Sequence, residues 1–100
     1  MAEELQEKKE FIISKQLLRS GVSIGALVRE AEQAESNKDF IHKLSISLKE
    51  AHETEYWLEL LFKTNYFTKE KFEELLSKTG ELIRILTSII KTSKLKLMVN

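Results

Sequence analysis

The residues of this chain that could carry chemistry are two carboxylates, Glu50 and Glu53, two histidines, His42 and His52, the guanidinium of Arg19 and the indole of Trp57. Carboxylates on one helical line can hold a metal or act as an acid/base pair. Di-iron bundles, however, need Glu-x-x-His on each of two helices, and here Asp39 stands three before His42 while Lys49 stands three before His52. His52-Glu53 also begins a zinc-protease motif, but Tyr56 occupies the place of its second histidine. No serine has a His/Asp relay within reach of the pattern, because both histidines fall on one stretch. The chain has no cysteine, which removes thiolate ligands, disulfides and cysteine nucleophiles. The sequence therefore assigns no catalytic residue, no metal and no cofactor, and the expectation is a protein that is not an enzyme.

A structural use of the same residues is open. Ile46, Glu50, Glu53, Trp57 and Leu60 step by four and three, so two carboxylates share a helical row with apolar residues. Arg19 is expected to fork onto one of them, a guanidinium matching a carboxylate through two parallel hydrogen bonds. The alternative is plain solvated charge. A buried pair would be strongly destabilised by loss of one partner, a surface pair hardly at all. Trp57 could stack on a base as aromatics do in single-strand binders, but in an apolar row it is expected in the core or at a subunit interface.

The elements that must position these groups are helices. There is no proline, glycine is scarce, and apolar residues recur at helical spacing almost throughout. Phe11 to Ala34 reads as a helix with three faces. Ile13, Leu17, Ser20, Ile24, Leu27, Ala31 and Ala34 form a packing stripe; Gln16, Ser20, Ser23 and Glu30 form a polar seam; Leu18, Gly21, Gly25 and Val28 form a flank from which two side chains are missing. Gln16, Arg19, Ser20, Ser23, Glu30, Glu50, Glu53 and Trp57 are the expected structural polar network. Gly21 and Gly25 are expected to admit a close neighbour; no Gly-Lys-Ser/Thr follows them, so they are not a phosphate loop.

The first helix is expected to begin near Ala2 to Leu5 and to run to about Glu35, with Ser20-Gly21 as its likeliest kink. Ser36 is a natural N-cap with Asp39 at the capping-box position. The second helix runs to about Phe62 on a stripe of Ile41, Leu44, Leu48, Ala51, Leu58 and Phe62, broadened by Phe40 and Leu61. Thr68 caps a third helix reaching about Ser93, with Phe67 and Phe72 spaced as a hydrophobic staple. Its expected core is Phe72, Leu75, Leu76, Thr79, Leu82, Ile83, Leu86, Ile89 and Ile90. Six large aliphatics within Leu82 to Ile90 are more than one face needs, so this end is expected to touch two neighbours and the chain to form a homo-oligomer. The fold class is all-α, an antiparallel helical bundle of three long helices forming a single domain over residues 1–100.

Sixteen basic and sixteen acidic residues cancel, unlike the basic excess of a dedicated nucleic-acid binder. The charges are nonetheless segregated: Phe11 to Arg29 has three cations and no acid, and Leu82 to Asn100 has four cations and no acid. The longest apolar-rich run, Leu82 to Ile90, is broken by Arg84, Thr87 and Ser88 and is far short of a membrane span. With no signal-like start, a cytoplasmic protein without a membrane partner is expected.

Gln16-Leu17-Leu18-Arg19-Ser20, Ser23-Ile24-Gly25-Ala26, Glu30-Ala31, Lys38-Asp39-Phe40, and Glu53-Thr54 followed by Tyr56-Trp57-Leu58 together resemble the four-helix-bundle proteins encoded within intervening sequences of bacterial 23S ribosomal RNA genes. The spaced Leu and Ile of Glu81 to Thr92 look like that family's last helix. The resemblance implies a compact bundle, a ring-like homo-oligomer that is most simply a pentamer, and no established enzymatic activity. It leads one to expect a further helix before Phe11, where Met1 to Glu10 stand here, and a bundle short of a helix leaves an apolar groove. The family's seam asparagine is Leu27 in this chain.

Two functional classes follow. One is a self-assembling interaction or scaffold protein. The other is an RNA- or DNA-associated accessory factor, like the related bundles that accompany diversity-generating retroelements, using Lys15, Arg19, Arg29, Arg84, Lys91, Lys94 and Lys96. Those related bundles are strongly basic and this chain is neutral, which favours the first class. Convergence of the seven cations on one surface would favour the second.

Overall fold

The computed structural model describes residues 2–99. Three α-helices follow one another, α1 Ala2–Glu32, α2 Asn37–Lys63 and α3 Lys69–Val99. α1 is one unbroken helix through Ser20-Gly21, with Glu3 and Glu4 in its first turn, where the positive end of the helix dipole favours them. It closes through short bonds from Gln33 N–H to the Glu30 carbonyl and from Ala34 N–H to the Ala31 carbonyl, both 3.0 Å. Ser36 then caps α2: its hydroxyl accepts from Asp39 N–H at 3.1 Å, while the Asp39 carboxylate accepts from Glu35 N–H at 3.4 Å. The reciprocal bond thus reaches one residue further back than a capping box requires.

The turn between α2 and α3 has a specific device. Asn65 has φ 62°, a left-handed conformation that asparagine tolerates better than most residues. It lets Tyr66 N–H reach the Leu61 carbonyl and Asn65 N–H the Phe62 carbonyl, each at 3.0 Å, which is the Schellman closure of a helix end. Thr68 caps α3 by accepting from Lys71 N–H at 3.1 Å. Phe72 stacks on Phe62 with ring centroids 4.2 Å apart, and Phe67 packs edge-on to Tyr66. The Phe72 ring therefore locks α3 to α2.

The fold is all-helical and antiparallel, and α2 is its centre. α1 and α3 each pack on α2, and among the described residues no Cα of α1 lies within 8 Å of α3. One core cluster unites Ala31 of α1, Ile41 and Leu44 of α2, and Leu86 and Ile90 of α3, with Val28, Phe40, Leu48 and Leu97 against it. Leu58 and Leu61 are buried toward the other end of α2. This arrangement corrects the expected core of α3: Leu82 and Ile89 are exposed, because α1 does not reach far enough round to cover them. It also adds residues that apolar patterning passes over, since Ser47 and Thr54 are buried.

Candidate functional site

Arg19 projects from α1 toward the row of α2 that holds the two carboxylates. Its Nη1 lies 3.2 Å from Glu50 Oε2 and its Nη2 lies 3.1 Å from Glu53 Oε2. Its Nε donates to Gln16 Oε1 at 3.0 Å, which fixes the plane of the guanidinium. One arginine therefore bridges both acids rather than choosing one. The contacts raise the Arg19 pKa, through Glu50 first and Glu53 second. Glu53 is held below its ordinary range, by the neighbouring Glu50 carboxyl first and by Arg19 second. The expectation of a buried pair needs correction for two of the three groups, because the Arg19 side chain is 46% exposed and Glu53 40%, while Glu50 is 15% exposed. Water screens the group, so it orients α1 on α2 more than it stabilises the fold.

The rest of the expected network is not one network. Ser20 lies in a separate dry seam, where its hydroxyl is 2.9 Å from that of Thr54. Ser20 Oγ also lies 3.1 Å from the Leu17 carbonyl and Thr54 Oγ1 lies 2.9 Å from the Glu50 carbonyl. Two hydroxyl protons cannot serve all three contacts at once. Further along, Ser47 Oγ donates across the helix pair to the Ile24 carbonyl at 3.0 Å. Small side chains here bring α1 and α2 together, and their hydroxyls are satisfied without water. Glu30 faces Lys43 at 3.8 Å, and Ser23 is half-buried without a hydrogen bond to the group. Trp57 is half-buried with its ring edge-on to Tyr56, and its Nε1 is buried without a hydrogen-bond partner among the described residues. Glu50 Oε2 is likewise without an aligned donor, although the Arg19 charge lies close to it.

The close-packing role expected for Gly21 and Gly25 is not met within the chain. A Cβ placed on either would meet nothing within 4 Å. The physical reason is rotation: α1 packs on α2 through Ser20, Ile24 and Ala31, and the glycines lie on a flank turned away from that contact. That flank belongs to a broad exposed apolar surface that includes Phe11, Leu18 and Val22. Within α1 there is an 18-residue window of mean hydropathy 1.3, long and apolar enough by composition to cross a membrane, of which 11% is buried. Sequence spacing puts the longest apolar-rich run at Leu82 to Ile90, in α3 instead.

The seven expected nucleic-acid cations do not form one surface. Lys15, Arg19 and Arg29 ride on α1, and Arg84, Lys91, Lys94 and Lys96 on α3, with α2 between. Arg19 is engaged by two acids, and Arg29 shares a shallow depression with Glu30, Glu32, Glu35, Asp39 and one other cation, Lys43. A phosphate approaching Arg29 would meet four carboxylates. Another depression, lined by Asn37, Phe40, Ser88, Ile89, Thr92, Ser93 and Lys96, has no acid, histidine or nucleophile paired with a base. Among the described residues no three His, Asp or Glu converge as a metal site.

An antiparallel array of long helices with a hydroxyl-lined seam and an arginine bridging two acids defines a helical-bundle protein. The sequence profile of the 23S rRNA-intervening sequence proteins matches residues 1–88, and the chain belongs to that family. It is similar to a crystal structure at 1.70 Å of a protein with unknown function from the S23 ribosomal protein family of Bacteroides thetaiotaomicron. The two are 61% identical with a TM-score of 0.80, over 85% of this chain and 76% of the other. A search of curated proteins gave no match.

Proposed function

We propose that this chain is a non-enzymatic helical module whose role is to associate with copies of itself. The observation that carries this reading is the placement of its exposed apolar side chains. Phe11, Leu18 and Val22 on α1 and Leu82, Ile85 and Ile89 on α3 are all exposed, on the two helices that pack only against α2. Exposed apolar patches of that kind, one on each outer helix, mark interaction sites. A homo-oligomer, of which the five-membered ring implied by the family is one form, buries them without a second gene product.

The competing reading, an RNA- or DNA-associated accessory factor, is weakened by the neutral net charge and by the division of its cations between α1 and α3. Sedimentation of the whole chain across micromolar concentrations tests the proposal. The expected result is a mass of two or more chains; 11.6 kDa throughout overturns it. A parallel titration with structured RNA and duplex DNA is expected to show no binding at physiological salt. Tight binding that falls steeply with salt assigns the chain to nucleic acid instead.

A further inference from the structure

The side-chain charges of this chain cancel in sum but not along its length. Residues 29–43 and 89–99 lie at one end of the bundle, since Ala31, Ile41 and Ile90 share a core cluster there and Leu97 packs against it. Residues 2–14 and 59–73 lie at the other end, where Phe62 stacks on Phe72. The first end has six basic side chains against four acidic ones, the second five against seven, and the middle five against five. A molecule 61 Å long is therefore positive at one end and negative at the other. The positive sign comes from α3. Arg29, Lys38 and Lys43 are outnumbered by Glu30, Glu32, Glu35 and Asp39, and Lys91, Lys94 and Lys96 reverse the balance.

The same last turns of α3 carry apolar residues that nothing in the chain covers. Leu95, Met98 and Val99 are three and four residues apart, so they form one patch on the helix surface, and they are 53%, 82% and 85% exposed. Leu97 packs against the core and holds the turn in place. Lys91 lies one turn before Leu95, and Lys94 and Lys96 flank it, so three ammonium groups ring the patch. None of the three has an ion-pair partner among the described residues. Leu95 and Val99 share a shallow, mostly apolar depression with Thr92, Lys96 and Asn37, and no acid lines it. The family profile ends at residue 88, so this arrangement lies in the part of the chain beyond the family match.

We propose that the last turns of α3 dock on the surface of an anionic phospholipid bilayer. Leu95, Met98 and Val99 enter the headgroup layer, and Lys91, Lys94 and Lys96 meet lipid phosphates and carboxylates. The patch is a convex helix end rather than a groove, and a fluid interface moulds to a convex tip where a second folded surface needs a matching pocket. Lysine suits the geometry, because its apolar stem can lie along the patch while the ammonium reaches the headgroups. Insertion is shallow, since the free carbonyls of the helix end must stay among water and headgroups. Of the acids at this end, Asp39 accepts from the Glu35 N–H and Glu30 faces Lys43. The negative far end is repelled by the same surface, so the charge division turns the tip toward it. Docking needs no spanning helix and goes beyond self-association, although an oligomer with several tips binds more tightly than one chain.

Pelleting of the whole chain with vesicles tests this. The chain is expected to sediment with vesicles of phosphatidylserine mixed into phosphatidylcholine, to stay in solution with phosphatidylcholine alone, and to be released by high salt. Met98→Gln with Val99→Gln removes the apolar tip at constant charge, and Lys91→Gln with Lys94→Gln removes charge at constant tip. Each pair should weaken binding by about tenfold or more. Helical circular dichroism should be unchanged in both, because all four side chains are exposed and glutamine is a good helix former. The chain has no cysteine, so a single environment-sensitive label reports depth. On Val99→Cys its emission should shift to the blue with the anionic vesicles, and on Lys69→Cys, at the start of α3, it should not.

A chain that stays in solution with anionic vesicles overturns the proposal, as does equal binding to phosphatidylcholine alone. Binding that survives either double variant, or that shifts the label at position 69 and not at 99, overturns it as well. Salt-sensitive binding to structured RNA or duplex DNA without vesicle binding overturns it by assigning the lysines to nucleic acid. The oligomeric mass is measured separately without lipid, so docking can fail while self-association stands, and the reverse.

Discussion

The two sides of α2 are built from different materials. Toward α3 it presents large side chains: Leu44 packs in a cluster with Leu86 and Ile90, and Phe62 stacks on Phe72. Toward α1 it presents small and hydroxyl-bearing ones, Ser47 and Thr54, which meet Ser20 and the Ile24 carbonyl. The first side is held by apolar area removed from water, the second by close approach and by hydrogen bonds that leave no buried hydroxyl unsatisfied. The difference explains why α1 keeps so much apolar surface free. Its contact stripe is narrow because Ser20 and Ala31 are small, and the larger aliphatics Leu18 and Val22 fall on the opposite side.

The contrast can be broken most forcefully on the α3 side. Leu86 is almost fully buried in the cluster shared by all three helices, and Leu86→Ala is expected to destabilise by about 2–5 kcal/mol through lost transfer energy and a cavity. Urea unfolding measures this, and a change below about 1 kcal/mol would mean that the cluster collapses around the gap or carries little of the stability.

On the α1 side the damage should come from adding volume rather than removing it. Ser47 is 0% exposed and donates across the seam, so Ser47→Leu overpacks the helix contact and removes the hydrogen bond to the Ile24 carbonyl. The expected cost is about 1–3 kcal/mol by the same measurement. A neutral or stabilised variant would show that α1 can slide away from α2 freely.

The smallest effect belongs to the exposed charge group beside that seam. Glu53 has its folded-state pKa depressed, so its contribution is present above the unfolded glutamate value of 4.5 and is lost as pH falls through the lower folded value. Parent and Glu53→Gln should therefore differ modestly near neutral pH, the parent being the more stable, and the gap should close in acid. A gap that stays constant down to about pH 2 would remove the ion pair as its cause. Coupling between Arg19 and either carboxylate, measured by double-mutant cycles, should also be weak, in keeping with the exposure of the arginine.

Much of this was legible without coordinates. Helical spacing of apolar residues with no proline defines three long helices. Ser36 and Thr68 mark the starts of α2 and α3 because their hydroxyls answer free N–H groups of the first turn, a local effect. Arg19, Glu50 and Glu53 could be paired in advance because opposite charges on two adjacent antiparallel helices have few other places to go. The large-residue contact of α2 with α3 follows in part from the same spacing, since Leu44, Leu86 and Ile90 are apolar wherever their partners lie.

What periodicity does not contain is the rotation of one helix against another, which depends on side-chain volumes on both surfaces at once. That rotation buries Ser47 and Thr54 and leaves Leu82 and Ile89 in solvent. It turns Gly21 and Gly25 outward, although their spacing suits a close contact. It also sets the depth of the Arg19 group, because a guanidinium at a helix boundary is buried or wet according to a few tens of degrees of roll. Composition and local spacing thus determined the helices, their caps and one charged pair of surfaces. Tertiary packing decided which face of each helix is interior, because only the assembled neighbours can exclude water from it.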